Sequence, residues 1–120
     1  MFNENLKLSG QVAIVLKDKD GNVKEERTEK NLVVTTGLNY IASRMKDASA
    51  TAMTHMALGS GTTNEAAGQT DLITLLGARE ALDSTTVTAN AVAYVASFEA
   101  GDATGAVTEA GIFNASTSGT

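Results

Sequence analysis

The chain contains Ala89-Asn-Ala-Val-Ala-Tyr-Val-Ala-Ser-Phe-Glu99, then Ala100-Gly-Asp-Ala-Thr-Gly105, then Ala106-Val-Thr-Glu-Ala-Gly-Ile-Phe-Asn114. In the first segment four residues occupy alternate positions, which places them on one face of a strand: Val92, Tyr94, Ala96 and Phe98. The middle segment carries two glycines and an aspartate, and the last is again apolar. The stretch therefore predicts a β-hairpin with a long loop, and nothing in it indicates a reaction.

A second hairpin is predicted near the N-terminus. Apolar and polar residues alternate from Leu6 to Lys17, which predicts a strand. Asp18-Lys-Asp-Gly-Asn22 provides the Asp-Gly chemistry of a hairpin turn, and a second strand is expected from Val23 to about Val34. Because the middle of that strand is charged on both faces, we expect the tip of the hairpin to project into solvent.

One short amphipathic helix is predicted, from about Gly37 to Lys46, with Thr36 as its N-cap. It is indicated by apolar residues at the spacing of one helix face: Leu38, Ile41, Ala42 and Met45.

The remaining segments predict further strands and loops. Met53 to Leu58 is expected to be a short strand, and Arg79 to Thr88 to be extended. Asp71 to Leu76 fits a short helix or an apolar bridge equally well. The sequence thus predicts a mainly β protein, with a single domain over residues 9–120 after an arm of residues 1–8. Ala115 to Thr120 is a turn signal with no strand after it, which indicates a loose tail or a final strand absent from the sequence.

Composition argues against several classes of function. Nine Lys and Arg among fourteen acidic residues give a net charge of −5, which disfavours nucleic-acid binding. Without cysteine there is no thiolate zinc site and no cysteine nucleophile. No apolar stretch reaches the ~20 residues that cross a bilayer, and no secretory signal is evident, so synthesis in the cytoplasm is expected. Aromatic residues make up only 4%, so small side chains dominate the core and association is expected to add stability.

Three segments resemble binding or catalytic motifs. Asp18, Asp20, Asn22 and Glu29 approach the spacing of a calcium loop, but the glycine is misplaced and a hairpin turn is favoured. Gly59-Ser-Gly61-Thr-Thr-Asn64 begins like a dinucleotide loop but lacks the third glycine, so a tight turn is favoured. His55, the one histidine, is favoured as a structural or surface residue over a catalytic base.

Charged residues near the predicted sheet suggest a structural polar pair. Glu80 and Glu109 could form a carboxylate pair for acid–base chemistry, but no spacing argument joins them. We favour Arg79 and Glu109 as structural polar partners, because an Arg–carboxylate contact fixes geometry.

Four segments, in order, resemble small structural proteins of tailed bacteriophages. They are Asn31 to Ala42, Met56-Ala-Leu-Gly-Ser-Gly-Thr62, Gly77-Ala-Arg-Glu80, and Ala110-Gly-Ile-Phe-Asn114 with the preceding Glu109. The resemblance to capsid cement (decoration) proteins implies an antiparallel β-sandwich of jelly-roll type and a non-enzymatic role without cofactor or metal. It implies binding to the major capsid protein on the outer surface of the virion, as a dimer or trimer, with no contact to nucleic acid or membrane.

Similar segments occur in tail-fibre and baseplate modules, which gives the alternative of a role in assembly or receptor binding. The short chain and the lack of an internal repeat favour the capsid. Within the arm, an apolar residue on a polar segment suggests a capsid contact, for which we select Met1, Phe2 and Leu6. A disordered start is the other interpretation of this arm.

Overall fold

The computed structural model describes residues 8–46 and 50–117. Contacts divide the described chain into two compact units, one up to Val33 and one from Val34, where the sequence predicts a single domain from residue 9. Antiparallel strands and one short helix make up the regular structure of the described residues, which confirms the predicted mainly β class. The jelly-roll order of strands stays a prediction. No helix of the described residues is long and apolar enough to span a membrane.

The first unit is the predicted N-terminal hairpin. Strands β1 (Gln11–Lys17) and β2 (Val23–Lys30) pair antiparallel, with a bulge between Leu16 and Lys17. The ladder is shorter than predicted, because it closes where the Asn31 N–H donates to the Gly10 carbonyl at 3.2 Å. Residues 32–34, which were expected to continue the second strand, precede the helix instead. Leu6, the predicted start of the first strand, lies outside the described residues.

The turn of this hairpin is organised by Asp18. Its Oδ1 accepts hydrogen bonds from the backbone N–H groups of Asp20 and Asn22, both at 2.9 Å. The Asp18 N–H in turn donates to the Asn22 carbonyl at 2.9 Å. Glu29 lies in β2 opposite Val12, toward the other end of the ladder. The hairpin-turn interpretation is therefore confirmed, and the described residues hold no cluster of acidic or histidine side chains that could bind a metal.

We expect the Asp18 carboxyl to titrate below its ordinary pKa of 3.8, because the hydrogen bond from the Asn22 N–H, aided by that from Asp20, stabilises its charged form against desolvation. A pKa lowered by folding stabilises the folded turn above pH 3.8, and this contribution is lost as pH falls through the lower folded value. NMR titration of the Asp18 side-chain carboxyl carbon measures this pKa directly. A midpoint at or above 3.8 would contradict the expectation. In the Asp18→Asn variant, the amide chemical shifts of the turn should no longer depend on pH in this range. The Asp20→Asn variant keeps the accepting carboxylate of Asp18 and should retain this dependence.

The second unit begins with helix α1 (Thr35–Lys46), two residues earlier than predicted. The Val34 carbonyl accepts the Leu38 N–H at 3.1 Å, so the first turn already includes Thr36, which is not the N-cap. The face predicted to be buried is largely exposed, with Met45 at 76% and Leu38 at 47%. Tyr40, Ile41 and Ser43 are the half-buried residues of the helix centre, so the packed face is rotated from the predicted one.

Two separate sheets complete the second unit. Strand β3 (His55–Gly59) lies at the centre of a three-stranded antiparallel sheet, between β4 (Glu80–Ala81) and β7 (Glu109–Phe113). Strands β5 (Ser84–Thr88) and β6 (Ala91–Val95) form a two-stranded ladder. The predicted strands after Met53 and Arg79 are thus confirmed in approximate position. Between them, residues 71–76 contain no helix, so the helical alternative is wrong, and Leu75 forms an isolated β-bridge to Gly59.

The hairpin predicted between Ala89 and Asn114 is wrong. β6 pairs backward with β5, and β7 pairs with β3, which lies about fifty residues upstream. The physical reason is a tight connection of Ala89 and Asn90, in which Ala89 adopts a left-handed φ of 51° and closes the β5–β6 ladder locally. The predicted shared face holds in part: Tyr94 of β6 is half-buried, as are Ala96 and Phe98, which follow the strand, whereas Val92 is exposed.

The core is small, as the composition predicts. Ala57 of β3 and Phe113 of β7 are the buried apolar residues of the described chain, and Arg79 is buried beside them. No large side chain among the described residues is completely buried. Polar contacts therefore have an unusually large share in holding the second unit together.

Candidate functional site

Arg79 is a buried cation at the edge of the small core. Its guanidinium carbon lies 3.7 Å from the centre of the Phe113 ring, within cation–π range. Nη1 donates to the Ala115 carbonyl at 3.0 Å, and Nη2 lies 3.2 Å from Oδ1 of the half-exposed Asp71. One side chain thus joins the nearby loop of Asp71 to the segment of Phe113 and Ala115, the latter 36 residues beyond Arg79. We call Arg79, Asp71 and Phe113 the arginine cluster.

The sheet order explains how Arg79 reaches Phe113. β4 and β7 flank β3 on opposite sides, and His55 is opposite both Ala81 and Phe113. Arg79 precedes β4 by one residue, so its long side chain can reach toward β7. Gly77, two residues before Arg79, adopts a left-handed φ of 69°. It lies against the Asp102 carbonyl, so that a Cβ on residue 77 would overlap the carbonyl oxygen.

Glu109, the first residue of β7, binds three backbone N–H groups. Oε1 accepts from Gly61 at 3.0 Å and from Thr74 at 2.8 Å, and Oε2 accepts from Ile73 at 3.0 Å. A Cβ at Gly61 would lie only 2.6 Å from Oε1, so glycine is required for this approach. The carboxylate therefore joins two loops to the edge of the sheet. We call Glu109 and these three amides the carboxylate cluster.

Thr108 reinforces the carboxylate cluster from the preceding position. Its hydroxyl donates to the Gly61 carbonyl at 2.7 Å, and its N–H donates to the Gly59 carbonyl at 2.9 Å. The sequence does not distinguish Thr108, because a threonine ahead of a strand carries no specific signal. A hydroxyl beside a selected carboxylate is the only feature that could have drawn attention to it.

The predicted Arg79–Glu109 pair is replaced by these two separate clusters. Both side chains have structural polar roles, but within the described residues the anionic partner of Arg79 is Asp71, and the partners of the Glu109 carboxylate are backbone N–H groups. Asp71 was not selected from the sequence, because it lies in a loop with no fixed spacing to Arg79. The carbonyl of Ala115 was missed for a similar reason, since any residue type presents one.

The other candidate residues also have structural surroundings. The Ser60 and Gly61 N–H groups of the glycine loop donate to the Thr74 carbonyl and to Glu109, which supports the tight-turn interpretation over phosphate binding. His55 lies half-buried in β3, with Nδ1 2.8 Å from the hydroxyl of the adjacent Thr54. Glu80 and Glu109 lie on opposite flanks of β3, opposite Met56 and Gly59, so their backbones are about 14 Å apart.

Two depressions of about 280 Å³ and 270 Å³ indent the second unit, and both are smaller than ordinary ligand pockets. The second lies at the arginine cluster, where Asp71, Arg79 and Ser116 are among its lining residues. The predicted capsid contacts Met1, Phe2 and Leu6 lie outside the described residues.

Replacing Arg79 by lysine is expected to lower the free energy of unfolding by about 2 kcal/mol, although the charge is retained. A lysine ammonium cannot stack on Phe113 while it also binds the Ala115 carbonyl and Asp71. Denaturant unfolding followed by tyrosine fluorescence is suited to this measurement, because both tyrosines, Tyr40 and Tyr94, lie in the second unit and the chain has no tryptophan.

Arg44→Lys is the matched control for this substitution. Arg44 is exposed on α1 and donates to the Ala50 carbonyl at 3.2 Å. Because water can replace contacts of an exposed side chain, its replacement by lysine should cost less than that of the buried Arg79. Equal losses for the two lysine variants would show that the arginine cluster contributes no more than a surface contact.

Comparison of the chain with protein families, with curated proteins and with solved structures gave no match.

Proposed function

We propose that the protein is a non-enzymatic structural protein of a tailed-bacteriophage virion. It binds the outside of the capsid and stabilises the shell by bridging major capsid protein subunits. The observation that carries this proposal is where the segments of the phage resemblance lie in the fold. Gly61, Arg79, Glu109 and Phe113, from three of the four segments, belong to the arginine and carboxylate clusters.

These clusters are frameworks that fix loops and strands to each other. The Glu109 carboxylate and the Arg79 guanidinium are both occupied by contacts within the chain. A pattern of residues that specifies a scaffold is what a structural protein needs, because its task is to present a surface of fixed shape.

The surface of the second unit supports a role in association. Several large apolar side chains are half or more exposed, among them Ile73, Val87 and Val95. With so small a core, burial of these side chains against a neighbour would add stability at roughly 25 cal/mol per Å². A protein that binds only the assembled shell shifts the assembly equilibrium toward the shell by mass action.

Charge supports the outer surface of the capsid. The chain carries a net charge of −5, which would be repelled by packaged DNA on the inside. An acidic protein on the outside of the shell avoids this repulsion.

The proposal is tested by the copy number of this polypeptide in purified virions. Quantitative mass spectrometry should find hundreds of copies, in a fixed ratio to the major capsid protein. A tail protein measured in the same sample serves as internal reference. A copy number matching that reference would replace the capsid role by a tail-fibre or baseplate role, and absence from the particle would overturn both.

The capsid-contact arm is tested separately by deleting residues 1–8. The shortened protein should bind capsids that lack the natural protein more weakly than the full chain does, at equal stability of the second unit. Unchanged occupancy of the capsid would remove Met1, Phe2 and Leu6 as contacts while leaving the cement role in place.

A further inference from the structure

The β5–β6 ladder is a small sheet without further strands. The two strands pair with each other from Ser84↔Val95 to Thr88↔Ala91, and no third described strand joins them. Two-stranded ladders are marginally stable in water, and a sheet of three or more strands is normally needed for stability. Both outer edges of the ladder therefore present backbone groups that an additional strand could use.

The edges of this ladder lack the features that usually prevent pairing with another chain. Natural edge strands carry lysine, proline or a bulge. Residues 84–98 contain no charged residue, no proline and no glycine, and the pairing of β5 with β6 is free of bulges. The N-terminal hairpin has two of these protective features: β2 carries six charged residues, and the β1–β2 ladder has a bulge at its tip.

Charge favours a second copy of this chain as the occupant. Two copies that each carry a net charge of −5 repel one another, except where the meeting surfaces hold no charge. The uncharged segment between Asp83 and Glu99 is such a surface. Of the two acidic residues that flank this segment, Asp83 directly precedes β5. Its carboxylate accepts a hydrogen bond from the Ser97 hydroxyl at 2.6 Å, so it already has a partner within its own chain.

β6 is better suited to this pairing than β5. All five residues of β6, Ala-Val-Ala-Tyr-Val, are apolar or aromatic, whereas β5, Ser-Thr-Thr-Val-Thr, has four hydroxyl side chains. Four of the β6 residues are exposed, with Val92 at 47% and Val95 at 50%. Pairing through β6 would therefore remove more apolar surface from water than pairing through β5.

The sequence of β6 also fits a copy of itself. In an antiparallel pair with its two-fold axis at Ala93, the small Ala93 is opposite the partner's Ala93. Val92 is then opposite the partner's Tyr94, an aromatic and β-branched pair of the kind that stabilises antiparallel ladders. Ala91 is opposite the partner's Val95. The same patch serves both subunits, as a two-fold interface requires.

We propose that the chain dimerises through β6, by antiparallel pairing of β6 with β6 of a second copy across a two-fold axis at Ala93. The product is a four-stranded sheet in the order β5-β6-β6-β5, with the hydroxyl-rich β5 strands at its edges. The pairing goes beyond the capsid role and is a property of the isolated chain, so its failure in solution leaves the capsid proposal intact.

The experiment is sedimentation velocity of the purified protein at about 100 µM, where a dimer with a dissociation constant of about 10 µM is readily detected. Ala93→Lys places two ammonium groups directly opposite each other and should raise the dissociation constant at least about tenfold. Thr86→Lys is the matched control, because Thr86 is exposed and lies opposite Ala93 in the ladder. Its two lysines would be about 14 Å apart in the dimer, beyond the Debye length of about 8 Å, so the effect should be under about threefold.

A charge exchange makes the test specific for β6 against β6. Mixing the Ala93→Lys and Ala93→Glu variants should restore dimers, because opposite charges then meet across the axis. Circular dichroism and the thermal midpoint of each variant establish that the chain is folded. A wild-type monomer at this concentration, equal effects of Ala93→Lys and Thr86→Lys, or no dimer in the mixture would each overturn the proposal.

Discussion

Replacing Glu109 by alanine is expected to lower the free energy of unfolding of the second unit by about 4 kcal/mol. The carboxylate accepts three backbone hydrogen bonds, and bonds to a charged acceptor contribute about 1.5–3 kcal/mol each. We take the low end of that range, because Ile73 and Thr74 are exposed residues, where water can partly replace the lost hydrogen bonds. Since domains are stable by about 5–15 kcal/mol, a loss of this size would leave a substantial unfolded population.

The isosteric Glu109→Gln variant separates the hydrogen bonds from the shape of the side chain. A glutamine oxygen in the position of Oε1 can still accept from Gly61 and Thr74, but the amide NH₂ then faces the Ile73 N–H, donor against donor. The expected loss is about 2 kcal/mol, between the wild type and alanine. Denaturant unfolding followed by tyrosine fluorescence gives both values.

Glu99→Ala is the control, because Glu99 is exposed and its contact to the Asp102 carboxylate is made by its backbone N–H, which the substitution retains. Its replacement should change stability by less than about 0.5 kcal/mol. If Glu109→Ala were no more destabilising than Glu99→Ala, the carboxylate cluster would not hold the loops in solution.

Local patterns in the sequence predicted local structure well. The N-terminal hairpin combines a period-2 pattern with an Asp-Gly turn, and both signals lie within a few residues of the structure they specify. The helix was found for the same reason, since its apolar spacing is a property of one segment. Which face of that helix packs depends on its neighbours, and the sequence pattern indicated the wrong face.

Pairing between distant strands was beyond these patterns. β7 pairs with β3, and nothing in the residues of either strand predicts that the two strands pair. The turn that instead joins β5 to β6 has alanine in its left-handed position, so the usual glycine signal was absent at Ala89. The apolar segments after Ala89 and before Asn114 were therefore joined to each other in the prediction.

The candidate site shows the same limit. Arg79 and Glu109 could be selected, because an Arg–carboxylate contact inside or beside a sheet fixes geometry. Their partners could not, because Glu109 binds backbone N–H groups that every residue except proline has. Asp71 is an ordinary loop acid in the sequence, and only the fold brings it to Arg79.

Replacing Gly77 by alanine is expected to lower the free energy of unfolding by about 3 kcal/mol, from two causes that can be separated. The first is the left-handed φ of 69°, which costs a residue with a Cβ about 1 kcal/mol. The second is overlap of that Cβ with the Asp102 carbonyl oxygen, a backbone atom that cannot turn away as a side chain could. Relief requires the loop around Asp102 to move, and such overpacking costs about 1–3 kcal/mol.

Gly101→Ala isolates the first cause. Gly101 has a φ of 95°, also left-handed, but no atom lies near the position of its Cβ. Its replacement should cost about 1 kcal/mol from backbone strain alone, measured by the same tyrosine-monitored unfolding. The difference between the two variants is then the cost of the close approach to Asp102. A difference near zero would mean that this loop moves freely, and that Gly77 serves the arginine cluster only through its backbone conformation.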